Sequence, residues 1–179
     1  DLGAKTVYVI NDNDSYSRTI AQIFETRAKA IGLEVVGSEA YDPTADEYSE
    51  LAERIIASDA DLLYIAGLIP NHVDFVIRDL RGPGYQGMIM GPDSIYADDL
   101  IESLGPLSEG IYTTFGGVPG PLLEGDGARW YTEFKESTGF EPGGYTAFNY
   151  EAVSAALAGF EQVCTKDRSA IREAVMGLE

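Results

Sequence analysis

Residues 5–40 read KTVYVINDNDSYSRTIAQIFETRAKAIGLEVVGSEA, and this stretch decides the fold. Lys5–Asn11 (KTVYVIN) is a short run of β-branched and apolar residues, as expected for a strand covered on both faces. Ser15–Ile31 then spaces Ile20, Ile23, Phe24, Ala28 and Ile31 along one side of a helix, and Gly32 supplies the C-terminal stop. Leu33–Ala40 is the next strand. Outward from this unit the alternation continues. Thr44 and Glu47 fit a capping box, opening a helix that should bury Tyr48, Leu51, Ala52, Ile55 and Ile56. Asp61–Ala66 (DLLYIA) is a third strand, and Gly67 lets the chain turn. Pro70–Arg81 reads as a third helix with Val73, Val76, Ile77 and Leu80 on one face, stopped by Gly82-Pro83-Gly84. Gly87–Gly91 (GMIMG), a short helix near Ala97–Leu104, and Gly110–Thr114 (GIYTT) complete the series. Strands separated by helices require right-handed crossovers. The expected class is α/β: a doubly wound, parallel five-stranded sheet with helices on both faces.

After Thr114 the pattern changes. Phe115–Gly127 (FGGVPGPLLEGDG) is rich in Gly and Pro and reads as a connector. Only helices follow: Ala128–Ser137, Tyr145–Val163 and Asp167–Met176, with Asp167 as N-cap. The middle one should bury Val153, Ala156, Leu157 and Phe160. Three helices without a strand either dock on the sheet already described or belong to a second sheet that these residues do not contain. The expected organisation is a lobe over 1–114, a connector over 115–127 and a helical segment over 128–179.

Composition narrows the function. The 179 residues carry 12 Lys and Arg against 30 Asp and Glu, a formal charge of −18. No basic stripe exists for a nucleic acid, and an anionic membrane surface is disfavoured for the same reason. The bulk charge reads as a device for solubility. One cysteine, Cys164, rules out an internal disulfide framework and a four-cysteine zinc site; on an apolar helix face it reads as a structural thiol. No apolar run approaches the ~20 residues that span a bilayer. No signal segment opens the stretch, so any leader is expected to have been removed or to lie outside it.

Ligands of open α/β sheets sit beyond the carboxyl ends of the strands. There, Asn11-Asp12-Asn13-Asp14-Ser15 has no glycine and two carboxylates, the opposite of a pyrophosphate turn. No GxxxxGK pattern occurs. A phospho-receiver site needs an aspartate ending strand three and a lysine after strand five, but strand three ends in Ala66-Gly67 and no lysine lies between Lys29 and Lys135. An EF-hand fails for want of its glycine and glutamate. Asp12 and Asp14 therefore read as capping residues at a positive helix end. The only histidine, His72, leaves no basis for a zinc site or a Ser–His–Asp triad; it reads as a surface residue in the first turn of the third helix. No enzyme activity, metal or cofactor is expected.

Four stretches, in order, carry a resemblance: KTVYVINDNDSYSRTIAQIFETRAKAIGLEVVGSEAYDP, DADLLYIAGLIPNHVDFVIRDLRGPGYQGMIMGPDS, EGIYTTF and GGYTAFNYEAVSAALAGFEQ. Together they are similar to the type 1 periplasmic binding proteins, in particular the leucine/isoleucine/valine-binding branch of ABC importers. The resemblance implies two α/β lobes joined by crossing strands, with a solute caught between them. It also implies that these residues start at the second lobe, that Phe115–Gly120 is a hinge crossing, and that the final helices return to a first lobe outside this stretch. By the same resemblance Tyr16 matches a cleft tyrosine, and Asp93 a glutamate that binds the ligand's ammonium group. Leu68 stands where branched-chain binders place a tyrosine, and Tyr145 matches an aromatic covering the ligand side chain. The shorter Asp93 and the lost hydroxyl at Leu68 point to a bulkier solute or to one other than a branched-chain amino acid. The implied partners are an amino acid-like small molecule and, in the intact protein, an ABC permease. The implied location is periplasmic or extracellular, with a lipoprotein anchor left open. A ligand-sensing module of the same fold in a receptor or regulator is the alternative, separable by gene neighbourhood. Apolar surface on the last three helices predicts a homodimer through them. The whole reading requires Tyr16 and Asp93 to share one hollow.

Overall fold

The computed structural model describes residues 2–178. Two compact units divide the chain, Asp1–Gly117 and Val118–Glu179. The first contains β1 (Thr6–Asn11), α1 (Ser15–Ala30), β2 (Glu34–Ala40), α2 (Ser49–Ala57), β3 (Leu62–Ala66), α3 (Val73–Arg81), β4 (Met88–Gly91), α4 (Asp98–Leu104) and β5 (Ile111–Thr113). All five strands pair in parallel in the order β2-β1-β3-β4-β5. The order reverses at β1: the chain moves outward to β2, then returns to β3 on the other side.

Strand alternation explains how this sheet acquires two cores. Tyr8 and Ile10 of β1, Leu63 and Ile65 of β3 and Ile89 of β4 face α2, α3 and α4, where Leu51, Ile55, Val73, Val76, Ile77, Leu80, Leu100 and Leu104 pack on them. Val7, Val9, Leu62, Tyr64 and Ala66 face the other way, toward Ala21, Ile20 and Phe24 of α1. Phe24 stacks on Tyr64 with ring centroids 3.7 Å apart. Helices thus lie on both faces, as right-handed crossovers in opposite directions demand.

The structure corrects several local expectations. Thr44 and Glu47 form no capping box. Asp42 Oδ1 instead accepts from the Thr44 N–H and hydroxyl in an Asx turn, and α2 starts later, at Ser49. Ile56 of α2, Ile23 of α1 and Ile31 at the end of α1 are exposed rather than buried. The third helix is interrupted: Ile69–Asn71 form one 3₁₀ turn, His72 takes a left-handed conformation at φ 61°, and α3 begins only at Val73. His72 is half-buried, not a surface residue. Its Nδ1 lies 3.0 Å from the Ala45 carbonyl oxygen, which makes that nitrogen the donor.

The second unit contains α5 (Gly125–Thr138), α6 (Thr146–Val163) and α7 (Arg168–Met176). Asp167 caps α7 as expected, accepting from the Ser169 and Ala170 N–H groups. Gly159 is where α6 meets α7, with Val175 against its Cα. Trp130 of α5 lies 5.4 Å, centroid to centroid, from Tyr150 of α6. Val153, Leu157 and Phe160 are not buried: they are 59%, 57% and 45% exposed. Cys164 is no core thiol either. It ends α6 at φ 45° and is exposed, its Sγ on the Glu161 carbonyl.

Candidate ligand-binding site

At the carboxyl end of β1 the chain must turn into α1 without a glycine. Asn13 takes the left-handed conformation, φ 62°, which asparagine tolerates. Asp14 then caps α1 by accepting from the Tyr16 N–H at 2.8 Å. This cap sets Tyr16 in the first turn, 40% exposed at the strand ends. After β4, Gly91-Pro92 leads into a 3₁₀ turn over Asp93–Ile95. The Tyr16 hydroxyl donates to Asp93 Oδ1 across 3.3 Å, joining two segments 77 residues apart. Tyr16 and Asp93 therefore do share one place.

Burial first, and the neighbouring Asp93 carboxylate second, push the Tyr16 hydroxyl above its ordinary pKa. Tyr64 of β3 lies behind it. Burial chiefly, with Tyr16 and Asp93 adding, pushes its phenol up to about 12. At neutral pH both tyrosines remain neutral donors. A carboxylate bordered by phenols and open to solvent suits the cationic end of a small molecule.

Leu68 follows β3 and is half-buried. Its N–H donates to Asp12 Oδ2 at 2.9 Å. The preceding Gly67 carbonyl accepts from the Ser94 hydroxyl at 2.7 Å, tying the β3 loop to the segment that holds Asp93. Gly67 itself has no room for a side chain. A Cβ there would meet Val73 Cγ2 at 2.6 Å and Tyr41 Oη at 2.9 Å. Tyr96, two residues beyond Ser94, contacts the Phe115 ring after β5, with centroids 5.0 Å apart. Tyr145 stands in the second unit, just before α6, 44% exposed and with its ring 6.4 Å from Phe148.

Asp12, Asn71, Ser94 and Tyr64 were not among the residues expected at the site. Asp12 is only 1% exposed and does not cap α1. A signal for this existed: Asp12 continues the parity of Tyr8 and Ile10, so it falls on the face that α2 and α3 cover. Among the described residues, no group of three or more His, Cys, Asp or Glu side chains is placed to hold a metal ion. No described helix is long and apolar enough to cross a membrane.

A twisted parallel sheet with polar side chains gathered at one end of its strands has the build of a ligand-binding domain. The family model described as periplasmic binding protein matches residues 1–179, and the chain belongs to that family. It is 30% identical over 168 residues to an amino acid binding protein of Pseudomonas aeruginosa, covering 93% of this chain and 44% of that protein. It is 25% identical to the Leu/Ile/Val-binding protein homolog 1 of Brucella suis, covering 94% of this chain and again 44% of the relative. Among solved structures, the leucine binding protein LivK of Thermotoga maritima superimposes with a TM-score of 0.87 at 27% identity, over 97% of this chain and 49% of that one. The substrate-binding protein LivJ of Streptococcus pneumoniae, solved with isoleucine, shares the fold at a TM-score of 0.86 and 19% identity, over 98% of this chain and 49% of its own. The chain thus spans about half the length of the relatives it matches. By name those relatives are binding proteins, not enzymes.

Proposed function

We propose that this chain supplies one jaw of a solute receptor for an ABC-type importer, acting in the periplasm or outside the cell and delivering an amino acid-like solute to a permease. The lobe is residues 1–114, the hinge 115–127, and the helices of 128–179 pack on the first lobe, carried by the remainder of a longer protein. One observation carries the reading: the Tyr16–Asp93 hydrogen bond gathers a carboxylate and a phenol at the strand ends of a periplasmic-binding-protein sheet. Asp93 pairs with the solute's ammonium group. Tyr16, Leu68 and Tyr145 supply cover, and the hinge lets the jaws close. Leu68, where a tyrosine would add a hydroxyl, leaves an apolar wall for a large side chain. Half a cleft binds weakly, so this chain alone shows no micromolar affinity. On its own, the exposed stripe of α6 pairs two copies.

The test is calorimetry of the two-lobed protein against leucine, isoleucine, valine, the other amino acids, aromatic acids and amides. Heat with at least one amino acid, lost on Asp93→Ala, is the expected result. Silence with all of them overturns the amino-acid reading. Size-exclusion chromatography of the 179-residue chain at high concentration checks the pairing, and a monomer would refute it.

A further inference from the structure

We propose that Asp12 is the positioning residue of this site: its buried carboxylate fixes the loop after β3 and thereby sets where Leu68 stands before solute arrives. The inference rests on the binding role proposed above and adds a residue to it.

A carboxylate that is 1% exposed must be surrounded by donors, because an unmatched buried charge is costly. Asp12 has three. Oδ2 accepts from the Leu68 N–H at 2.9 Å and from Asn71 Nδ2 at 2.7 Å. Oδ1 accepts from the Asp14 N–H at 3.0 Å. Its own N–H donates to the Ala66 carbonyl at 3.3 Å. One side chain thus ties the end of β1 to both ends of the Leu68–Asn71 turn. Labour is divided between neighbours in sequence: Asp14 caps α1, and Asp12 serves the other loop.

The rest of the loop is pinned from other directions. Ser94 holds the Gly67 carbonyl, Val73 and Tyr41 fill the space beside Gly67, and His72 holds the Ala45 carbonyl. The Leu68 N–H at the carboxyl end of β3 takes as its partner a side-chain charge from the carboxyl end of β1. Without that charge the N–H is orphaned and Asn71 loses its anchor. The loop must then be ordered when solute binds, which weakens affinity without touching any group that meets solute.

The test uses Asp12→Ala, Asp12→Asn and Asn71→Ala. In Asp12→Asn the amide leaves one oxygen and one donor where Oδ1 and Oδ2 stood, so the Leu68 N–H and the Asp14 N–H cannot both keep an acceptor. Two readouts are taken: hydrogen exchange at the Leu68 amide in this chain, with the Ile10 amide as control for global unfolding, and calorimetric affinity of the two-lobed protein for the amino acid found above. Asp12→Ala should speed Leu68 exchange and weaken binding by about tenfold or more, the effect of losing a charge-assisted hydrogen bond. Asn71→Ala should do the same by a smaller factor, and Asp12→Asn should fall between the two. Unchanged Leu68 protection in Asp12→Ala overturns the proposal; so does faster exchange with unchanged affinity. If Asp12→Ala fails to fold, Asp12→Asn and Asn71→Ala decide by the same criteria. A wild-type protein that binds no amino acid defeats the binding role itself, which is a separate result from the exchange data.

Discussion

The two units spend their apolar side chains in opposite ways. In the first, α3 puts Val73, Val76, Ile77 and Leu80 on one face, and all four are buried against the sheet. In the second, α6 is apolar nearly all round, with Phe148, Tyr150, Val153, Leu157 and Phe160, yet all five are exposed and only Gly159 is buried. Every side chain of the buried apolar core lies in the first unit. A helix that is apolar on all sides is built for burial in something larger than itself. The first unit therefore has the means to fold alone, while the second, among its described residues, has helices without a buried apolar side chain.

The sharpest way to break this contrast is to separate the units. Residues 1–117 should unfold in urea as one cooperative transition followed by circular dichroism, and residues 118–179 should show none. A cooperative transition in the shorter piece would erase the distinction. Next in size, Leu63→Ala in the first core should cost about 2–5 kcal/mol, whereas Leu157→Ala on α6 should cost well under about 1 kcal/mol; chemical denaturation of both variants measures the difference.

Alkaline titration comes third. Tyr64 and Tyr8, in the first unit, are each pushed up to about 12, chiefly by burial. Groups whose folded pKa is raised stabilise fully below their unfolded pKa, near 10, and lose that contribution as pH climbs through the folded value. Stability should thus fall between about pH 10 and 12, by about 2 kcal/mol for Tyr64. Absorbance of tyrosinate and urea midpoints over this range would expose a flat profile if the reading is wrong.

Gly91→Ala should cost about 1–2 kcal/mol, because a Cβ there collides with Ile95 Cδ1 and meets the Ile65 carbonyl at 3.0 Å. It should also displace Asp93 and reduce solute affinity in calorimetry. The smallest effect belongs to Arg54→Ala. Arg54 holds the Glu39 carboxyl below the usual carboxylate range, so the pair's contribution is present above that range and is lost as pH falls through Glu39's lowered value. Both ends are near the surface, and the change in urea midpoint should be the least of the series.

The strand and helix order of the first unit was legible because burial on two sides leaves a plain record. KTVYVIN and DLLYIA are apolar throughout, and the faces of α3 repeat at helical spacing. The capping box at Thr44 failed because Asp42, two residues earlier, competes for the same N–H and hydroxyl. The uninterrupted third helix failed because His72 takes a left-handed conformation, which histidine adopts more often than most residues but still seldom. Burial along α6 was misjudged for a different reason: an apolar face says that a helix wants cover, not that cover is at hand. At the site, the closeness of Tyr16 and Asp93 was expected from the family resemblance, not from their residue types or spacing. Asp12 was missed because its residue type argues for a cap, while only its strand parity argues for the interior.

The reversal of strand order at β1 also bears on how the polypeptide emerges during synthesis. β1 lies between β2 and β3, so the first strand of this unit to be synthesised cannot complete its hydrogen bonding until residue 66 has followed. Until then its Val7, Val9 and Ile10, fully buried at the end, remain an unfinished edge that holding chaperones would be expected to recognise.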